Sequence, residues 1–252
     1  MSNLIDIASS SILAYRTALS VTGENIANVN TEGYRARTTV MAQNAGAQAT
    51  ATTMPTGGQG VQVVDIRRAF DGLVAERARQ TAGAATAAET HLTTATAIEN
   101  LLIPGSGGID TTLDSFFTAV STLASQPADS ALRQVVLDAG QTLASTVSDI
   151  AGGLGRLRED TATQASTAAD RGTALLKSLA ELQGQIGALA GQSEAANPLM
   201  DQRDALLNQL GDLVGITTTL DTAGRAKVTL GSAGGPVLLD GTTAATLTTV
   251  AS

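Results

Sequence analysis

The stretch NLIDIASSSILAYRTALSVTGENIANVNTEGYRARTTVM, residues 3–41, joins a heptad-patterned helix to a punctuated turn and then to an extended segment. Ile5, Ile12, Leu19 and Ile26 fall seven residues apart, with Ala8, Tyr15, Thr22 and Val29 in the alternate seam position. A pattern held for about four heptads argues for coiled-coil packing. Each large aliphatic side chain left in water forfeits roughly 1.5–3 kcal/mol of burial, so these Ile and Leu positions demand a partner helix, in the chain or in a neighbouring subunit. Burial in an ordinary intramolecular core is the other reading of the same pattern. Asn25, Asn28 and Asn30 compete with helical hydrogen bonding through their own side chains, which ends the helix near Val29. Gly33 then suits a positive φ, and Thr38, Thr39 and Val40 favour extended backbone after Tyr34.

The bulk properties narrow the function classes. A chain of 252 residues buries a real core and holds one large or two small domains. A net charge of −8 leaves no basic field for phosphate backbones, and 2% aromatic residues leave few rings for base stacking, so nucleic acid is not expected as a partner. The absence of Cys removes disulfides, thiolate chemistry and Cys-based metal sites. His91, the single histidine, reads as an exposed helix residue and gives no basis for a zinc or proton-relay site. No basic n-region precedes Asp6, and no apolar run approaches a membrane span, so neither a secretory signal nor membrane insertion is expected. These features alone describe a soluble cytoplasmic chain.

Residues 42–60 are uncharged and rich in Ala, Thr, Gln and Gly, and read as a flexible or partner-ordered loop. Gly57-Gly58-Gln59-Gly60 within it lacks the Lys-Ser/Thr and the helix start of a phosphate cradle. Residues 61–66 form a short strand, with Val61 and Val63 on one face and Gln62, Val64 and Ile66 on the other. A helix follows over 69–102, ended by Pro104 and the glycines after it. Asp110 serves as N-cap of a short helix carrying Leu113, Phe116, Phe117, Val120 and Leu123, and Asp129 or Ser130 starts the next. In that helix Gly152, Gly153 and Gly155 mark a bend or a close helix contact. Leu175, Leu179, Leu182, Ile186 and Leu189 make a second coiled-coil-like seam. A break at 194–198 precedes a helix carrying Leu199, Arg203, Leu206, Leu210 and Leu213, whose opening Asp201 and Asp204 suit the helix dipole. From 215 onward the pattern turns to a hairpin, 216–220 with 226–230, and a further strand at Val237-Leu238-Leu239. The fold class is mainly α: an elongated helical bundle with a long coiled-coil-like N-terminal helix, short strands near 61–66 and a β segment at 215–250. The expected domains are 1–68, 69–214 and 215–252.

Asn25-Ile26-Ala27-Asn28, Thr31 and Gly33-Tyr34, closing a heptad helix, resemble the signature of the axial proteins of the bacterial flagellum, the rod, hook and hook-associated proteins. Phe116-Phe117-Thr118-Ala119-Val120-Ser121-Thr122-Leu123-Ala124 with residues 127–133, and Leu199-Met200-Asp201-Gln202-Arg203-Asp204-Ala205-Leu206-Leu207 leading to Val214-Gly215-Ile216, are similar to the hook-associated branch that joins hook to filament. The resemblance implies a structural subunit without enzymatic activity or cofactor, self-assembling into a helical or ring-like junction. It implies the hook protein, the next hook-associated protein and an export chaperone as partners. It further implies type III export without a cleaved signal, to the extracellular flagellum. The implied assembly interface comprises Ile5, Ile12, Tyr15, Leu19, Ile26, Asn28, Thr31, Gly33 and Tyr34. The family path also includes more β structure and a C-terminal amphipathic helix pairing with the N-terminal one. These 252 residues hold no such helix, so the chain is expected to be incomplete and residues 1–68 to be ordered by assembly. Another rod or hook protein is the alternative, against which stands the helical middle 69–214. A flagellum-associated cell-wall hydrolase is the remaining class. For it Asp201, Arg203 and Asp204 offer acids without a companion His, Tyr or Lys cluster.

Overall fold

The heptad helix, α1 (Ser2–Ala27), stops where the asparagines begin: Asn28 still donates its N–H to Glu24, and the next turn tightens, with Val29 N–H reaching only to Ile26. Gly33 follows at φ 79°, and the chain turns into β1 (Arg37–Gln43). β1 pairs antiparallel with β2 (Val61–Arg68). The computed structural model describes residues 2–44, 60–103, 108–189, 191–221 and 224–249. The loop expected at 42–60 therefore lies mostly outside the described residues, while Ala42 and Gln43 belong to β1. Helix accounts for 68% of the described residues, which confirms the mainly α class.

Two compact units emerge, Met1–Gly83 with Gly172–Thr246, and Ala84–Arg171 with Leu247–Ser252. In the first, α1 lies on the β1–β2 ladder, and its inward face carries mostly small side chains, with Ile7 and Val21 the aliphatic exceptions. Ala14 and Val21 are buried, and Ile7, Ser10, Ser11, Thr17, Ala18 and Asn25 are half-buried, a repeat of three and four residues. Small side chains let the hairpin approach: a Cβ on Gly60 would strike Ser10 and lie 3.3 Å from the Ile7 Cα. The sequence reading left this face unassigned. It gives α1 an intramolecular partner in the β1–β2 ladder.

The strand at 61–66 is longer than expected and does not alternate throughout. Val40 pairs with Asp65 but Met41 with Val63, so Val64 is bulged out of the ladder and exposed while Ile66 is buried.

The first unit's core is built by the end of α4 (Ser130–Ala188), α5 (Ser193–Leu213) and a meander, β3 (Ile216–Leu220), β4 (Ala226–Leu230), β5 (Val237–Asp240) and β6 (Thr243–Ala244), in sheet order β3-β4-β5-β6. Leu176, Leu179, Leu207, Leu210, Val228 and Leu239 are fully buried there. The expected seam holds at Leu179, Leu182 and Ile186, but Leu176 takes the core position while Leu175 is half-buried. Gln183, 2% exposed, fixes helix to sheet: its amide donates to the Ala226 and Gly241 carbonyls at 3.0 and 2.9 Å and accepts from Ala226 N–H at 2.5 Å.

Several boundaries differ from the sequence reading. α2 (Gly72–Leu102) starts three residues late, because the Asp71 carboxylate caps it by accepting from the N–H groups of Leu73 and Val74. In the second unit α3 (Ile109–Ser125) is preceded by Gly108, and Asp110 lies within its first turn rather than capping it. Asp129 does cap α4, at 2.7 Å from Ala131 N–H. The triple-glycine region and the later seam belong to one continuous 59-residue helix, and Gly153 marks a close contact, a Cβ there coming within 2.6 Å of the Leu101 side chain. No break occurs at 194–198: α5 runs through Pro198, so Asp201 and Asp204 sit in its middle and not in its first turn. His91 is exposed on α2.

Two glycines in helices make opposite predictions. At Gly83 an added Cβ would lie 2.7 Å from the Gly211 carbonyl, so Gly83→Val should cost about 1–3 kcal/mol by forcing α2 from α5. At Gly155 nothing lies within 4 Å, so Gly155→Ala should gain up to about 1 kcal/mol. Urea denaturation followed by circular dichroism reads both.

Candidate assembly surface

The outward face of α1 is a stripe of large aliphatic groups that no described residue covers. Ile5, Ile12, Leu19 and Ile26 are 67–73% exposed, and Leu4, Leu13, Tyr15 and Val29 flank them at similar exposure. The five helix residues expected at the interface, Ile5, Ile12, Tyr15, Leu19 and Ile26, thus share one open side of α1. The other four, Asn28, Thr31, Gly33 and Tyr34, lie in the turn beyond it. Thr31 and Gly33 are exposed, but Asn28 and Tyr34 are half-buried and bonded within the chain. Asn28 donates to the Glu24 carbonyl at 3.0 Å and accepts from the Thr31 hydroxyl at 3.2 Å. Tyr34 donates to the Asn25 side chain at 2.8 Å.

Asn25 is the centre of this turn. Its Oδ1 also accepts from Arg37 N–H at 2.9 Å, and its Nδ2 donates to the Arg37 carbonyl at 2.8 Å, so one side chain closes helix end, turn and strand start. Arg37 stacks over the Tyr34 ring at 5.1 Å and pairs with Glu24 at 3.1 Å.

Arg37 also begins a ladder of charges that ties the turn to α5. Its Nη2 lies 3.6 Å from Asp201, whose other oxygen meets Arg68 at 2.8 Å. Arg68 reaches Asp204 as well, at 2.7 Å, and stacks over Phe70. Asp204 pairs in turn with Arg203, which donates to the Gly224 carbonyl at 2.7 Å. Three cations, Arg37, Arg68 and Arg203, therefore alternate with three anions, Glu24, Asp201 and Asp204. Burial pushes the Arg203 guanidinium below its usual value, with Asp204 pulling the other way. Asn197 adds a neutral rung, donating to the Ile66 carbonyl at 2.8 Å.

Sequence reasoning found the stripe but missed Glu24, Arg37, Arg68 and Asn197, and read Asn25 as a helix stop and part of the signature without its bonds to Tyr34 and Arg37. The one available signal was register: Arg37 and Arg68 are direct cross-strand partners, and like charges placed so demand an anion between them. Asp201 and Asp204, three residues apart on a helix, supply it.

Gly33 is constrained by its backbone and not by space, since a Cβ there would meet only Ala205 at 3.9 Å. Gly33→Val should therefore cost of order 1–3 kcal/mol, and Gly33→Asn distinctly less, because Asn tolerates the left-handed region. Asp204→Ala leaves two buried guanidinium groups with one fewer counterion and should cost roughly 3–5 kcal/mol. Thermal melts of the purified chain check each.

With this geometry in hand, the likenesses to known proteins fall into place. The flagellar hook-associated protein FlgK helical domain matches residues 95–252, and the flagella basal body rod protein family matches residues 5–35. Flagellar hook-associated protein 1 of Salmonella typhimurium is 31% identical over 258 residues, covering 100% of this chain and 45% of that protein. The Escherichia coli protein of the same name is 29% identical over 254 residues, covering 100% and 46%. That of Bacillus subtilis is 28% identical over 228 residues, covering 87% and 44%. The flagellar hook junction protein FlgK from Burkholderia pseudomallei superposes with a TM-score of 0.52 at 26% identity, over 66% of this chain and 29% of that one. The chain spans less than half the length of the curated relatives it matches. A match to the helical domain over more than half of its residues shows that the chain belongs to the flagellar hook-associated protein FlgK family.

Proposed function

We propose that this chain belongs to a structural subunit joining flagellar hook to filament, and that the open stripe of α1 is the surface its neighbours cover. One observation carries the reading: Ile5, Ile12, Leu19 and Ile26 stay exposed on a helix whose opposite face is already docked on β1 and β2. At roughly 1.5–3 kcal/mol each, their burial against partner helices is a driving force of about 6–12 kcal/mol for assembly. Strict seven-residue spacing suits a left-handed seam between long helices, as an axial assembly requires.

The subunit self-assembles into a helical or ring-like junction, with the hook protein on one side and the next hook-associated protein on the other. It leaves the cell by flagellar export to reach that position, with an export chaperone among its partners. Among the described residues no helix is long and apolar enough to cross a membrane. The rod-family likeness over residues 5–35 favours a general axial role for α1 and the turn. The helical-domain likeness over 95–252 favours the hook-associated branch over a rod or hook protein.

Charging the stripe tests this. Ile12→Glu with Leu19→Glu should leave the melting of the isolated chain unchanged within about 0.5 kcal/mol, since both positions are exposed. Expressed in the full-length protein, the pair should be exported in normal amount yet abolish junction assembly and motility. Motile cells with intact filaments would overturn the assignment of the stripe.

A further inference from the structure

We propose that the outer edge of β1 is a strand-addition site, which takes an extended segment of a second copy of this chain. The register fixes which backbone groups lie on that edge. Ala69 N–H donates to the Ala36 carbonyl at one end of the ladder, and Asn44 N–H donates to the Gly60 carbonyl at the other, so the even-numbered residues of β1 are the ones that bond β2. The N–H and C=O groups of Arg37, Thr39, Met41 and Gln43 therefore point away from β2.

Other outward groups of these strands are met by side chains. The Asn25 carboxamide accepts from Arg37 N–H and donates to the Arg37 carbonyl, making both of the bonds that a residue of a third strand would make. On the outer side of β2 the Asn197 side chain donates to the Ile66 carbonyl at 2.8 Å, and the Ser10 hydroxyl accepts from Val61 N–H at 3.4 Å. On β3, the edge strand of the meander, Thr218 N–H donates to the Glu76 carboxylate at 3.2 Å. Beyond Arg37 the pattern stops: the outward N–H and C=O groups of Thr39, Met41 and Gln43 bond no described residue. The stretch Thr38 to Gln43 also holds no charge and no proline, and the bulge at Val64 lies on β2, so this edge lacks the devices that keep a strand from pairing.

The spacing of these groups defines what can cover them. Three outward residues at alternate positions, spanning about 13 Å, are satisfied together by one extended backbone of about five residues, and by neither a helix face nor scattered side chains. A two-stranded ladder is itself strengthened by a third strand. The source follows from position. The edge begins at Arg37, held by Asn25, and the adjacent Ile26 is the last residue of the exposed heptad stripe. A neighbouring copy that covers Ile26 thereby lies beside the edge of β1. The proposal rests in this respect on the assembly reading given above.

Residue-resolved hydrogen exchange on the full-length protein reads the edge directly. In the dilute protein the Asn44 amide should exchange slowly and the amides of Thr39, Met41 and Gln43 quickly. In junctions assembled from that protein alone, those three should slow at least tenfold. Slow exchange at the three in the dilute protein, or fast exchange in the junctions, overturns the proposal. Protection that arises only when another flagellar protein or a chaperone is added overturns the choice of a second copy. Met41→Pro removes one outward N–H and no bond to β2, so it should keep the Asn44 amide protected in the dilute protein yet cut junction assembly at least tenfold, whereas Met41→Ala, which retains the N–H, should assemble as the native protein does. Equal assembly of the two variants also overturns the site. If Met41→Pro loses the Asn44 protection, exchange in the native protein decides the matter alone. The Ile12→Glu, Leu19→Glu pair separates the two readings: junctions that form despite it remove the stripe, whereas junctions that need the stripe but leave Thr39 and Met41 exchanging fast remove only the strand site.

Discussion

Arg68 between Asp201 and Asp204 is the interaction on which the first unit depends. The β1–β2 ladder brings Arg37 and Arg68 face to face, an arrangement that repels until an anion is placed beside both. Among the described residues only α5 provides an anion beside both, so the ladder and the helix specify each other. A buried ion pair adds little net stability once desolvation is counted, and an apolar replacement of the same shape would hold as well. What the charges give is uniqueness. A slip of one residue in the ladder would turn Arg68 to the opposite side of the strand and take from Asp201 and Asp204 the cation they share.

The same constraint explains how α1 comes to face outward. A helix with aliphatic groups on one side and Ser, Ala and Thr on the other would normally bury the aliphatic side. Here the small side is the one that lets a hairpin come close enough for Gly60 to touch Ser10, and for Asn25 to reach the Arg37 backbone. Once those short contacts and the charge ladder are made, the large side has no element of the described chain left to meet. The exposed stripe follows from the fold being satisfied by other means.

How much of this the sequence carried depends on the range of the interactions. The heptads of α1, the left-handed turn at Gly33, the β3–β4 hairpin and the seam through Leu179, Leu182 and Ile186 all rest on spacing within a few turns, and all were legible. The course of α5 was not. Pro198 reads as a break, yet it lies within the first two turns, where the carbonyl it leaves unpaired is a small loss set against the burial of Ala196, Leu207 and Leu210. Asp201, Arg203 and Asp204 read as a solvated helix start because their counterions are more than a hundred residues away, or on the hidden side of the same helix. The bulge at Val64 likewise needs a register that only pairing with β1 sets.

The Asn44 N–H donates to the Gly60 carbonyl at 2.9 Å, closing the base of the connection between β1 and β2, and Gly60 is in turn wedged against α1. The ends of that connection are thereby fixed independently of what lies between them. For a loop closed at its base, each doubling of length costs only about 0.6 kcal/mol of chain entropy. The segment between Asn44 and Gly60 is therefore the place where a member of this family can gain or lose residues, or exchange its composition entirely, while the helix, the ladder and the charges behind them keep their geometry.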